Sequence, residues 1–419
     1  MKVFQPKTLS LLKNYSGKQF VTDVIAGIIV AIIALPLSIA LAIASGASPE
    51  QGLYTAIFAG FVIALLGGSN VNISGPTAAF ATIVAGIIAD FEFSGLVIAT
   101  IMAGIILVLM GICRLGALIK YVPHTITVGF TSGIAVTIVI GQLKDFFGLV
   151  YPEGTSPIEA PEKIEAMIHN ISTFDVLSLV VGLLGLAILI VWPKIKYVNK
   201  VPASLIAVII GTLTVVAFGL EVPTIGNKIT AGFPKPSIPE FELSKIIELI
   251  PSAFTIAILA AIESLLSCVV SDGMINDKHN PNTELIAQGA GNICSAIFGG
   301  IPATGAIART AANVKNGGRT PVAGMVHALV LLVVLVVLMP LASFIPMPII
   351  AAILLMVAYN MCEWRSFVKI CKAKDVCDII VLVLTFVLTV VFDLVVAIVA
   401  GIILSVIFCF AKKLFIKNK

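Results

Sequence analysis

Two ionisable side chains stand in stretches that are otherwise apolar. Glu263 lies inside the run from Ile256 to Ser267, and Arg309 lies just beyond the segment from Gly299 to Gly305. Carrying a charge to the centre of a lipid bilayer costs about 3 kcal/mol or more, so such residues usually mark an ion path, a relay or a substrate contact. Arg309 offers a fixed positive charge and a planar fork of donors suited to an oxyanion. Glu263 offers a carboxylate that can take up a proton, and Ser267, four residues on, shares its helical face. A purely structural ion pair between Glu263 and Arg309 is the competing reading.

Two polar, glycine-rich stretches interrupt the apolar pattern near these charges. One runs from Gly67 to Pro76 and the other from Gly299 to Gly305. Neither can continue a helix through lipid, whereas proline suits the first turn of a new one. Each reads as an extended stretch followed by a half-helix, starting near Pro76 and near Thr304. Irregular backbone at membrane depth must be buried in protein or line a cavity. Two half-helix N-termini facing each other would present free N–H groups and positive dipole ends to an anion. Thr77 and Thr304 add hydroxyls, while Ala78, Ala303, Gly305 and Ala306 are small enough to let a ligand reach the backbone. Small residues also serve close helix packing. Asn70 and Asn72 are expected to cap the first segment. His124 and His327 read as satisfied structural residues near span ends, and Asp393 as a turn residue.

The elements that must position these groups are membrane spans. Of the 419 residues 59% are hydrophobic and only 11% charged, a balance that needs lipid as solvent. The net charge of +4 is scattered, which excludes a nucleic-acid surface. The seven cysteines have no ligand spacing, and Cys113, Cys268, Cys294 and Cys409 read as reduced apolar residues. No phosphate loop, nucleophile elbow or metal spacing is present, so neither an enzyme nor a cofactor is expected.

About fourteen apolar segments recur. With the N-terminus inside, twenty of the 26 basic residues fall on the inner side, five on the outer, and Arg309 in the membrane. The expected fold is therefore an all-α polytopic membrane protein with both termini cytoplasmic. Residues 1–20 form the N-terminus, 21–220 a first repeat of seven spans, 221–250 an outer loop, 251–411 a second repeat and 412–419 the tail. The halves resemble each other. Pro36 and Thr77 are 41 residues apart, as are Glu263 and Thr304. An odd number of spans per repeat makes the second inverted, an arrangement that puts a transporter's binding site near the midplane.

Five stretches resemble the SulP family of sulfate permeases, bicarbonate transporters and dicarboxylate transporters. They are Ala34–Leu37, Ala56–Gly60, Ser74–Thr77, Ala261–Ser267, and Pro302–Thr310 with Gly317–Thr320. The resemblance runs from about Asp23 to Lys413. It implies the fold of the uracil permeases, in which a core (spans 1–4 and 8–11) moves against a gate (spans 5–7 and 12–14). Two departures stand out. Members usually carry a cytoplasmic STAS domain after the last span, and this chain stops at Lys419, so that domain is expected to be absent or removed. Many also have Gln where this chain has Leu37. Sodium-coupled bicarbonate members carry Asp and Thr where Glu263 and Ser267 stand, whereas proton-coupled members tend to carry Glu.

Together these features predict a secondary transporter of small inorganic oxyanions in the cell membrane, working by alternating access and coupled to protons. Substrate contacts are expected at Thr77, Ala78, Ala303, Thr304, Gly305 and Arg309, and the coupling ion, proton or sodium, at Glu263 and Ser267. Dicarboxylate transport, sodium-coupled bicarbonate symport and an anion channel remain open on the same fold. A nucleobase permease is disfavoured by Arg309, and an inert scaffold by the paired broken helices. The partners are the anion and lipid, and a homodimer is compatible with the sequence.

Overall fold

The computed structural model describes residues 4–9, 15–117, 123–152, 155, 157–196, 201–226, 233–237, 242–373, 375–391, 396–397, 400–405 and 407–408. The tail from Lys412, Asp393 and Cys409 lie outside these described residues.

The first repeat opens with α1 (Gly17–Ala44), capped where the Ser16 hydroxyl accepts from Gln19 N. It starts four residues before the expected boundary. Next comes α2 (Pro49–Leu66), which widens into a π-turn over Thr55–Ala59. An extended stretch with strand β1 (Ser74–Gly75) and a tight turn at Ala78–Phe80 lead into α3 (Ala81–Ile112). Glu92, at φ 58°, breaks α3 into a half-helix and a full return span. Helix α4 (His124–Phe146), the short α5 (Ala160–His169), α6 (Val176–Val191) and α7 (Ala203–Phe218) complete the half.

The second repeat runs through α8 (Leu243–Ile275), α9 (Pro281–Ile297), strand β2 (Thr304–Gly305) and α10 (Ile307–Lys315). It continues with α11 (Val322–Leu338), α12 (Met347–Met361), α13 (Trp364–Lys372) and α14 (Val376–Val391). The described residues at 396–397, 400–405 and 407–408 are helical and belong to the last span. Helix α8 begins at Leu243, so the expected loop of residues 221–250 gives its last residues to a helix that carries Pro251 internally. The stretch from Gln142 to Thr173 holds the end of α4 and all of α5.

Helices α1–α3 and α8–α11 pack into one group, and α4, α6, α7, α12 and α14 into another. In the first group α3 and α9 cross at glycines, where a methyl on Gly104 would sit 2.7 Å from Gly289 O. In the second, Val181, Leu189, Ala207, Val215 and Ile349 form a separate apolar cluster. Many Leu, Ile, Val and Phe side chains remain exposed on the outside of both groups, as lipid-facing surfaces require.

On the side where α10 ends, α1 is latched to the loop after α10. The fully buried Asp23 carboxylate accepts from Arg319 N (2.8 Å), Thr320 Oγ1 (2.6 Å), Gln19 Nε2 and Tyr15 Oη (both 3.0 Å). Burial, together with the Asp23 carboxylate, pushes the Tyr15 phenol up to about 12. The motif residues Arg319 and Thr320 thus fix the far end of the second half-helix.

Candidate functional site

The two broken segments meet in the interior. Strands β1 and β2 pair antiparallel, with Ser74 opposite Gly305 and Gly75 opposite Thr304, and Ala306 N donates to Ile73 O at 2.8 Å. Two strand ends from opposite repeats therefore satisfy each other's backbone, which no continuous helix could do here. The half-helices depart from this pairing in opposite directions, with Thr77 at the N-cap of the first and Ala306 at the N-cap of the second. The earliest N–H groups of each have no partner within the helix.

Arg309 lies one turn into α10 and is 2% exposed. Its Nη2 donates to Pro76 O, on the opposite broken segment, while Nε and Nη1 have no hydrogen-bond partner among the described residues. The close pass needs Gly75, because a Cβ there would collide with the guanidinium. Glu263 and Thr77 are half-buried, and Thr77 Oγ1 donates to Glu263 Oε2 at 2.9 Å. The competing reading, a Glu263–Arg309 ion pair, is not formed among the described residues. The carboxylate is held by the Thr77 hydroxyl and the guanidinium by the neighbouring Pro76 carbonyl.

The other expected residues fall into two groups. Ala78 is buried at the start of the first half-helix. Thr304 is fully buried and donates to Ala260 O (2.9 Å), so its hydroxyl faces α8. The N–H and C=O of Ala303 are both taken by the Asn292 amide, at 2.8 and 2.9 Å. Gly305 is small for packing, since a methyl there would lie 2.8 Å from Asn72 Nδ2 and 3.0 Å from Ser264 Cα. Ser267 Oγ lies 2.7 Å from Asn72 Oδ1 and 3.1 Å from Thr310 Oγ1, and its side chain is fully buried.

A polar scaffold behind the strands does the positioning. Glu284, Gln288 and Asn292 form a stripe at i, i+4 and i+8 on α9, all fully buried. Glu284 accepts from Gly68 N (3.0 Å), Asn72 Nδ2 (2.7 Å) and Gln288 Nε2 (3.0 Å). Thr310 Oγ1 accepts from Ile73 N, and Asn313 Nδ2 donates to Val71 O. Thr55, in the π-turn of α2, accepts from Ile301 N at 2.7 Å. Asn72 thus organises the interior of the segment it was expected to cap. The spacing of four along α9 was the readable signal for the rest. His327 differs from expectation: it is buried in α11 with neither ring nitrogen partnered, and its Nδ1 would lie 3.9 Å from a methyl on Gly60. His124 sits exposed at the start of α4, 3.9 Å from Glu363.

Two cavities border the first half-helix on the α5 side. One of about 260 Å³ reaches Ala79, Thr82, Ile134 and Thr255. The other, about 460 Å³, shares Thr82 and Thr137 with it and extends to Lys144 and Lys163. Both lie where the two helix groups face each other.

A protein-family model described as the sulfate permease family matches residues 20–385. A putative sulfate transporter of Bacillus subtilis is 43% identical over 89% of this chain and 70% of its own length. The bicarbonate transporter BicA of Picosynechococcus is 36% identical over 83% of this chain, which spans 62% of that relative. Among solved structures, the transmembrane domain of a cyanobacterial BicA superposes with a TM-score of 0.82 at 30% identity, covering 92% of this chain and 98% of that one. The murine anion transporter Slc26a9 shares the fold, with a TM-score of 0.88 at 20% identity over 97% of this chain and 71% of that one. Two inverted seven-span repeats, half-helices meeting at a strand pair and a family match across most of the length make this multi-pass membrane protein a member of the sulfate permease family.

Proposed function

We propose that this chain moves small inorganic oxyanions, of the sulfate or bicarbonate class, across the cell membrane by alternating access. The observation that carries the reading is Arg309: a buried guanidinium at the crossing of two half-helices, with two nitrogens unmatched and no ion pair among the described residues. A buried cation without a counterion is costly, and an anion supplied from solution would relieve that cost. The half-helix N-termini add partial positive charge from two directions. The named relatives, putative sulfate and bicarbonate transporters, agree with that chemistry.

Coupling is assigned to Glu263. An ionised carboxylate across Pro76 from the anion repels it, and a proton removes the repulsion, so proton and anion bind with positive and reciprocal linkage. Ser267 favours proton over sodium. Its hydroxyl donates into the Asn72–Thr310 network, whereas Glu263 is bonded by Thr77, so the two side chains are held by different partners. Movement of the α4–α14 group against the α1–α11 group would expose the site alternately, with N- and C-termini on the cytoplasmic side, where the basic residues concentrate.

The test is reconstitution into liposomes with labelled sulfate and labelled bicarbonate, under imposed proton or sodium gradients. Uptake above protein-free liposomes, concentrative when the outside is acidic, is expected. Absence of flux for both anions overturns the reading, and accumulation driven by sodium alone overturns the assignment of the proton.

A further inference from the structure

The larger cavity holds a cation that the site at Arg309 does not use. Lys163, on α5, folds inward until its Nζ lies 3.7 Å from where a methyl on Gly141 of α4 would stand. Among the described residues no carboxylate lies within ion-pair distance of Lys163. Its neighbour Glu162 accepts from Ile158 N (3.0 Å) and Glu159 N (3.3 Å), as the third residue of the capping box that opens α5. Burial draws the Lys163 ammonium below the usual lysine range. This amine is therefore half-buried and makes no ion pair among the described residues, although the Glu162 carboxylate acts on it from beyond ion-pair distance.

Its surroundings are mixed but positive on balance. Lys144 and Asp145, at the end of α4, and Tyr151 line the same cavity, and the Lys144 ammonium sits 4.7 Å from the Tyr151 ring centroid. Two ammonium groups therefore face one carboxylate. From this mouth the cavity runs along α3 to Thr82 and Ala81, one turn beyond Ala78 where the half-helix begins. The cavity thus joins Lys163 to the first turn of the half-helix that Thr77 caps.

We propose that Lys163, with Lys144 beside it, forms a second anion station that captures a small oxyanion at the mouth of this cavity before transfer to the half-helix site. The inference rests on the transport reading above and adds a sided step to it. A charge placed in a concave, partly dry mouth raises the local anion concentration and the entry rate, and it discriminates by valence, so a divalent anion gains more than a monovalent one. The contact must also be weak enough to release its ligand inward, which suits a single flexible ammonium better than a two-pronged guanidinium site.

The test is initial-rate uptake of labelled sulfate into right-side-out and inside-out vesicles carrying the parent, Lys163→Met or Lys163→Arg. Methionine keeps much of the side-chain bulk and removes the charge, whereas arginine keeps the charge. At low ionic strength Lys163→Met should raise the KM for sulfate by about three- to tenfold in the orientation that presents α5 to the substrate. Its KM in the other orientation and its Vmax in both should stay within about twofold of the parent. Lys163→Arg should behave as the parent, and added salt should shrink the difference between parent and Lys163→Met. An unchanged KM in Lys163→Met in both orientations overturns the station, as does an arginine variant impaired as much as the methionine one, which would mark a packing role. Parent vesicles that move neither sulfate nor bicarbonate overturn the transport reading itself, a result distinct from a silent Lys163→Met in active vesicles.

Discussion

The two broken segments descend from matching sequence and share one strand pair, yet they have taken different tasks. The first ends in Thr77, half-buried, with its hydroxyl on Glu263. The second ends in Thr304, fully buried, with its hydroxyl on Ala260 O. The first lends its Pro76 carbonyl to a guanidinium, and the second supplies that guanidinium one turn later, at Arg309. Inverted symmetry thus specifies where the backbones meet, while the side chains on either side of the meeting point have diverged. One segment presents a polar, titratable face, and the other a fixed charge behind it.

That division is broken most directly at Glu263. Glu263→Gln mimics the protonated carboxylate and keeps an oxygen able to accept from Thr77. It should preserve anion binding and exchange while abolishing concentrative uptake driven by a proton gradient. Liposomes preloaded with unlabelled sulfate measure exchange, and empty liposomes under a pH gradient measure accumulation. Accumulation equal to the parent, with the same pH dependence, would remove Glu263 from the coupling step.

Arg309→Ala is the complementary change. It removes the fixed charge and should weaken binding by about 1.5–3 kcal/mol, or roughly tenfold to a hundredfold in affinity, more for sulfate than for bicarbonate. Competition between the two anions in a binding assay reads the valence effect. Arg309→Lys should recover only part, since an ammonium cannot both hold Pro76 O and offer a planar fork to the anion. Affinity unchanged in a folded Arg309→Ala protein would refute the role.

The scaffold distinguishes position from chemistry. Asn292→Ala strips partners from both the N–H and the C=O of Ala303, which are buried, at a cost of about 1–3 kcal/mol for each group left unmatched. Thermal unfolding in detergent should show a clear drop in the midpoint, while the ratio of sulfate to bicarbonate affinity in the surviving protein stays as in the parent. A shifted ratio would mean that Asn292 belongs to the anion site.

Much of this was legible in the residues. Gly67–Pro76 and Gly299–Gly305 announced themselves because glycine, proline and polar residues between apolar runs admit few conformations in lipid. Glu263 and Arg309 announced themselves by the cost of burying charge. What failed to show is which neighbour each uncharged polar group chooses. Thr304, Ala303 and Gly305 look like ligand contacts by type and position, but Ala260, Asn292 and Asn72 claim them, and those partners come from other elements. Asn, Gln, Ser and Thr each bond equally well to backbone, side chain or ligand, so only the packing decides. The stripe of Glu284, Gln288 and Asn292 was readable from its spacing of four, whereas the Asp23 latch to Arg319 and Thr320 joins residues almost 300 apart and needs the fold. Helix α8 runs through Pro251, its ninth residue, where the ring leaves the carbonyl of residue 247 without its helical N–H donor; a proline in that place reads as a boundary, and the packing of the long helix overrides it.

The finest probe of the divergence between repeats is the matched pair of threonines, for which the smallest effects are expected. Valine keeps the branched shape and deletes the hydroxyl. Thr304→Val removes a bond to a carbonyl already within a helix, so it should cost about 0.5–1.5 kcal/mol of stability and leave the sulfate KM and its pH dependence unchanged. Thr77→Val deletes the donor to Glu263 at a half-buried position, where water can replace part of it. Stability should change less than in Thr304→Val, but the pH profile of uptake should move, because Thr77 is the hydrogen-bond donor to the Glu263 carboxylate. The measurements are unfolding midpoints and uptake against pH for the two variants in parallel. If both variants shift the pH profile equally, or if neither does, the two segments have not divided the work as their hydrogen bonds indicate, and Glu263 answers to the pair as a unit.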